Sequence, residues 1–305
     1  MGLLYVDLTG IRVSVTQRCN LNCIYCHREG CASAGDLPLP FFQSLISLCP
    51  DHGIVKLKIT GGEPLMRKDL AEIVHIGDRW MDEISLTTNG TLLSEERSRS
   101  LAHAGLDRIN VSLDSFNEEL YRKLTGQRKG IERVICNLEK AQRFFYPIKI
   151  NMVLLKDLNE SEVPHMIQFC KDRGYILQLI ELQPFDSYRT FNDLFLDLGD
   201  MERELGLKAQ RVEIRKMQNR KKYFVDGAEI EVVKPMHNSE FCRNCRRIRL
   251  TSEGKIKPCL MRNDNLVDGL AAFQTRGLTG LEEALSEGIN RRNPFWATIS
   301  HDRYI

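Results

Sequence analysis

No run of residues approaches the ~20 consecutive apolar side chains that span a bilayer, and the opening Met1-Gly2-Leu3-Leu4-Tyr5-Val6-Asp7 lacks a basic segment ahead of an apolar one. A cytoplasmic protein that neither crosses nor enters a membrane is therefore expected. Charge of one sign is equally scarce: 43 basic residues against 41 acidic leave a formal charge of +2, too balanced to indicate nucleic acid or an anionic membrane as a partner. Low-complexity tracts and internal repeats are missing too. Apolar residues are plentiful, at 42% of 305, which suits a large core rather than disorder. In a reducing cytosol the ten cysteines point to metal before disulfide. Six of them fall in two tight groups.

From the N-terminus to about residue 185, short β-branched runs alternate with segments of helical period, as repeated βα units around a parallel sheet do. The strands expected are Ile11–Thr16, Val55–Thr60, Glu83–Thr88, Arg108–Asp114, Ile148–Leu154 and Leu177–Leu182. The helices are Phe41–Cys49, Leu70–Met81, Ser94–Ala104, Gly130–Phe144 and Glu160–Arg173. Beyond about residue 205 the pattern changes to short strands with Gly and Asn turns (Val212–Arg215, Glu229–Val233, Arg247–Thr251, Lys255–Pro258) and one helix near Leu278–Ser286. A division into a first domain, 1–200, and a smaller second one, 201–305, is expected.

Alternation within the strands is informative. Ile11, Val13 and Val15, and Val55, Leu57 and Ile59, form apolar faces suited to a helical cover. The opposite face carries Arg12, Ser14 and Thr16, then Lys56, Lys58 and Thr60, then Asn110, Ser112 and Asp114, then Lys149 and Asn151. A closed eight-stranded barrel packs its interior with branched aliphatics, so this lining implies an open or partial barrel with a wet, cationic cavity. The alternative is a register displaced by one residue, which would bury these groups under helices.

Cys19-Asn20-Leu21-Asn22-Cys23-Ile24-Tyr25-Cys26 follows the first strand, where barrel enzymes place their chemistry. Three cysteines are one short of the four that usually hold a 4Fe-4S cluster, leaving one iron open. Zinc is the alternative, though zinc pairs are usually matched by a second pair downstream. The C-x3-C-x2-C spacing resembles that of the radical S-adenosylmethionine (SAM) superfamily. That resemblance implies a partial (β/α)6 TIM-type barrel, SAM chelating the open iron, and a 5′-deoxyadenosyl radical. It also implies SAM contacts at Tyr25, at Gly62 in Thr60-Gly61-Gly62-Glu63-Pro64, at Ser112 in Val111-Ser112-Leu113-Asp114, and at Gln183. The segment Thr87-Thr88-Asn89-Gly90 resembles a family element facing SAM or substrate.

A second group, Cys242, Cys245 and Cys259, is spaced C-x2-C-x13-C. The intervening residues read as a hairpin turning at Glu253-Gly254, which would return Cys259 to the other two. A structural zinc completed by His237 is the alternative. Joined to the first motif, the C-x2-C-x-R-x-R stretch is similar to the GTP 3′,8-cyclase family of molybdenum cofactor biosynthesis. The resemblance spans nearly the whole chain. It implies a small C-terminal α+β extension carrying a second 4Fe-4S cluster whose open iron binds guanine, and GTP contacts at Arg12, Lys58, Thr88, Lys149, Arg247 and Arg249. The implied reaction removes hydrogen from ribose C3′ and closes C3′ onto guanine C8, giving (8S)-3′,8-cyclo-7,8-dihydroguanosine 5′-triphosphate. Cyclic pyranopterin monophosphate synthase would then act on it, and an electron donor is required.

This chain departs from that family in four places. Lys58 stands where many members have Arg, Gln178 where many have an arginine near GTP, Gln183 where many have Met, and Ser300–Ile305 where many end in Gly-Gly. A redistribution of phosphate contacts is expected. Another radical SAM enzyme with an auxiliary cluster, such as a peptide modifier, is the alternative activity, and a non-catalytic iron–sulfur or zinc protein the third reading. Cys31, Cys49, Cys136 and Cys170 read as plain thiols.

Overall fold

The structure, a computed structural model, describes residues 7–27, 36–127, 130–184, 188–293 and 295. Its centre is six neighbouring parallel strands in chain order: β1 (Gly10–Ser14), β2 (Lys56–Thr60), β3 (Glu83–Thr88), β4 (Arg108–Ser112), β5 (Lys149–Leu154) and β6 (Ile176–Glu181). Between them run α1 (Leu39–Leu48), α2 (Leu70–Asp78), α3 (Glu95–His103), α4 (Glu118–Thr125), α5 (Ile131–Ala141) and α6 (Val163–Arg173). The expected strands and helices are present. Helix α4 is additional, capped by Asn117 Oδ1 on the Leu120 N–H and closed by Gly126 at φ 71°.

The remaining elements are α7 (Tyr188–Leu194), α8 (Gly199–Lys208), β7 (Arg211–Ile214), β8 (Lys221–Val225), β9 (Ala228–Val233), α9 (Ser239–Arg243), β10 (Arg247–Leu250), β11 (Lys255–Lys257), β12 (Val267–Asp268) and α10 (Gly269–Asn290). They extend the sheet at both ends. Strand β9 joins β6 in parallel, with β8 and β7 beyond it, while β10 joins β1 in parallel, with β11 and β12 outermost. The expected late helix lies inside α10, which bends at Gly277 (φ 61°). Ser300–Ile305 and Cys31 lie outside the described residues.

The period-2 pattern sorts the two faces. Ile11, Val13, Leu57, Ile59, Leu86, Ile109, Val111, Ile150 and Leu177 are all buried in one core, which the helices cover with side chains three and four apart. On α5 these are Ile131, Val134, Leu138 and Ala141. Truncating a buried leucine such as Leu138 to alanine would cost about 2–5 kcal/mol. The other face of the strands encloses the cavity described next. Among the described residues, no helix is long and apolar enough to cross a membrane.

Candidate active site

A cavity of about 610 Å³ runs the length of the central strands, within the 300–1,000 Å³ range of small-molecule sites. Tyr25, Cys26, His27 and Gln183 line its end at the strands' C-termini, and Lys56, Arg108, Arg215 and Arg246 its opposite end. Between them stand Arg12, Lys58, Asn110, Lys149, Asn151, Arg247 and Arg249, so the alternation expected from sequence does aim these side chains inward.

The first cysteine loop is held from several sides. Asn22 N–H donates to the Thr125 carbonyl and Ile24 N–H to that of Leu124, both at 2.9 Å, so the end of α4 is its platform. Asn20 bridges to Thr91 (2.8 Å) and Asn89 (2.9 Å). Gly62 presses on the chain leading into the loop: a Cβ there would lie 2.4 Å from the Arg18 carbonyl oxygen and 2.5 Å from that of Gln17. Only a residue without a side chain permits this approach. Glu63, fully buried, accepts from Thr88 Oγ1 (2.7 Å), Asn89 N–H (2.7 Å) and Leu65 N–H (3.0 Å).

Thr88 was expected to contact GTP, and the structure does not bring it to the cavity. It is 2% exposed and committed to Glu63, while Thr87 lines the cavity. Strand parity explains this: Ser85 points inward, so the residue two further on does as well. Gly62 lies just beyond the C-terminal end of β2 and Ser112 at that of β4, and neither lines this cavity, whereas Tyr25 and Gln183 do.

Among the described residues, no group of three or more His, Cys, Asp or Glu side chains is gathered to hold a metal ion. Thiolates on a cubane each bind a different iron, so they stand farther apart than the ligands of one ion. The first triple fits that donor set. Burial, then Asp114, then Cys26 and Cys19, push the Cys23 thiol up to about 12, and burial likewise raises Cys19. Thiols that resist deprotonation for these reasons are relieved when a cationic metal centre binds. Tyr25 Oη donates to Asp114, whose carboxyl burial pushes up to about 6.

The second triple does not itself line the cavity, but Cys245 adjoins Arg246, which lines the cavity's other end. Strands β10 and β11 form the expected hairpin, with Arg249 opposite Lys257 and Gly254 in its turn at φ 78°. Strand β11 ends at Lys257, opposite Arg249, so Cys259 follows it on the side of the hairpin where β10 begins, two residues after Cys245. Cys242 is buried and its carbonyl accepts from the Cys245 N–H at 3.2 Å. Arg220 and Arg247 feel the charge of Cys245, and Arg262 that of Cys259.

The register also builds a row of like charges. Arg249 on β10 stands opposite Arg12 on β1, which stands opposite Lys58 on β2. Such pairing is destabilising by itself. Burial, followed by Arg12, Arg247, Arg220 and Lys149, holds Lys58 well below its ordinary value, and burial with Arg12 and Arg249 lowers Arg247. An anion entering this space would be stabilised by every one of them. Sequence reasoning missed Arg215, Arg220 and Glu231, whose meeting depends on sheet order.

Comparison with known proteins gives the site a context. The Radical SAM superfamily model matches residues 13–170, and the Molybdenum Cofactor Synthesis C model matches 175–298. A protein of Methanothermobacter thermautotrophicus described as a "Probable GTP 3′,8-cyclase" is 46% identical over 94% of this chain and 95% of its own length. One so described from Methanocaldococcus jannaschii is 45% identical over 95% and 97%. Among solved structures, Streptococcus suis SuiB bound to S-adenosylmethionine is similar with a TM-score of 0.68 at 19% identity, over 90% of this chain and 65% of that one. At that identity the likeness concerns the fold, an α/β partial barrel.

Proposed function

This chain belongs to the radical SAM superfamily and to its GTP 3′,8-cyclase family, and from that premise we propose that it converts GTP to (8S)-3′,8-cyclo-7,8-dihydroguanosine 5′-triphosphate, the first step of molybdenum cofactor biosynthesis. The observation carrying this reading is one cavity lined by Cys26 at one end, by Arg246, next to Cys245, at the other, and by cations between. Such a space suits a polyanion with a neutral base rather than a peptide.

The superfamily implies a 4Fe-4S cluster and SAM, and Cys19, Cys23 and Cys26 are the residues that would hold that cluster. When bound, cluster and SAM supply the 5′-deoxyadenosyl radical that takes hydrogen from ribose C3′. Tyr25, Gly62, Ser112 and Gln183 are proposed to place SAM. Tyr25 is fixed by Asp114, and Gly62 by its fit against the chain entering the cysteine loop. Cys242, Cys245 and Cys259 are proposed to hold a second 4Fe-4S cluster beside the guanine. Arg12, Lys58, Lys149, Arg247 and Arg249 bind the phosphates and orient the ribose, with Thr87 in the position first given to Thr88. The protein's contribution is positioning and the exclusion of water around a reactive ribose.

In this reading the domain carrying the first cluster is 1–200 and that carrying the second is 201–305. The product passes to cyclic pyranopterin monophosphate synthase, an electron donor reduces the clusters, and the setting is cytoplasmic. The test is turnover of anaerobically reconstituted protein with SAM, a reductant and GTP. Formation of 5′-deoxyadenosine together with a product convertible to a fluorescent pterin is expected. Cleavage of SAM with GTP unchanged would reject the GTP reading in favour of a peptide-modifying enzyme.

A further inference from the structure

A second cationic group in the cavity is built by strands outside the six central ones, and a single carboxylate gathers it. Glu231, on β9, is 0% exposed. Its Oε1 accepts from Lys149 Nζ at 2.5 Å and from an Arg215 terminal nitrogen at 2.6 Å; its Oε2 accepts from Gln178 Nε2 at 2.8 Å and lies 3.6 Å from Arg220. Arg215 and Arg220 flank the turn joining β7 to β8, closed by the Arg215 N–H on the Arg220 carbonyl at 2.8 Å. Both line the cavity.

One buried carboxylate needs one cation to balance it, and Glu231 has three. The surplus positive charge borders the cavity. Arg220 Nε is moreover buried with no hydrogen-bond partner, a donor that a fully satisfied structural ion pair would not leave idle. Gln178, on β6, stands where the family resemblance places an arginine, yet its neutral amide is spent on the same carboxylate.

We propose that Arg215 and Arg220 are phosphate-binding residues of the nucleotide site, a guanidinium pair held ready by Glu231 that supplies the contact Gln178 cannot make. The proposal rests on the reading of the cavity as a GTP site. Guanidinium forks suit phosphate oxygens, and Glu231 acts as a positioning residue that fixes them before the ligand arrives.

Titration calorimetry of the reconstituted, SAM-loaded enzyme with GTP and with guanosine tests it. Arg215→Gln and Arg220→Gln should each weaken GTP about tenfold or more, the value of a charge-assisted hydrogen bond, while guanosine binding changes less than about twofold. Arg215→Lys and Arg220→Lys should recover part of the loss. Unchanged GTP affinity, or equal weakening of GTP and guanosine, overturns the proposal. If the Gln variants do not fold, the Lys variants decide alone, since they keep the charge and lose the fork: weaker GTP with unchanged guanosine supports the pair, and unchanged GTP overturns it. Wild-type enzyme that binds no GTP rejects the GTP reading itself, and the pair with it, which is distinguishable from loss of discrimination in the variants.

Discussion

Replacing Glu231 with Gln removes a charge and keeps the shape, so its effect isolates the electrostatics of the buried centre. Lys149, Arg215 and Arg220 all face that carboxylate, and without it they face one another. Breaking a buried charge pair on one side costs about 3–5 kcal/mol. With roughly 2 °C per kcal/mol for a chain of this length, the melting temperature should fall by about 6–10 °C. Burial would by itself push the Glu231 carboxyl up, but Lys149, Arg220 and Arg215 hold it well below the usual carboxylate range. Its folded-state value is thus depressed, and the stability it contributes is complete above the unfolded value of about 4.3 and lost as pH falls further. Melting of wild type and Glu231→Gln from pH 7 to pH 3 should show a gap that narrows below about pH 4. Glu204→Gln is the control, because its pair with Lys208 is exposed on both sides at 3.6 Å, and a shift of about 1 °C or less is expected. A Glu231→Gln shift below about 2 °C, or a gap indifferent to pH, would refute the reasoning.

Cys245→Ala should lower the iron of anaerobically reconstituted protein from about eight to about four atoms per chain; unchanged iron would exclude a second cluster there. Burial first, then Arg215 and Arg220 against the pull of Glu231, lowers Lys149 to about 8. GTP affinity should therefore weaken as pH rises through about 8, where the ammonium is lost. A titration series from pH 6.5 to 9.5 should show that slope in wild type and a flat line in Lys149→Arg; equal slopes would sink the assignment. Gly62→Ala drives a methyl against the carbonyls of Arg18 and Gln17, and should cut iron loading at the first cysteine loop more than twofold. Gly206→Ala, with its nearest neighbour Tyr223 at 3.8 Å, should leave loading unchanged and add up to about 1 kcal/mol of stability.

Much of the site was legible because two local rules carry it. Residues two apart on a strand share a face, which was enough to aim Arg12, Lys58, Lys149, Arg247 and Arg249 at one space. Cysteine spacing was enough to mark both groups. The same parity rule, applied from Ser85, would have selected Thr87 over Thr88. Helix α4 left a signal in Asn117 and Gly126, its cap residues, yet eight residues show too little periodicity to stand out. The Glu231 centre left none. It exists because β9, paired with β8 on one side, lies parallel to β6 on the other, and because the turn after β7 reaches back over the cavity. Those are facts of sheet order, which no local pattern of side chains encodes.

That turn touches more than Glu231. The Gln218 N–H donates to the Asn244 carbonyl at 2.8 Å, and Gln218 Nε2 approaches Cys245 Sγ at 3.9 Å. The two extremities of an otherwise open sheet are thereby latched together like the halves of a clasp. Whatever reshapes the loop around Cys245, oxidation of its sulfur included, is transmitted to the strap that carries both arginines. If the pair holds phosphate as proposed, injury to that sulfur would loosen its grip on the nucleotide's tail.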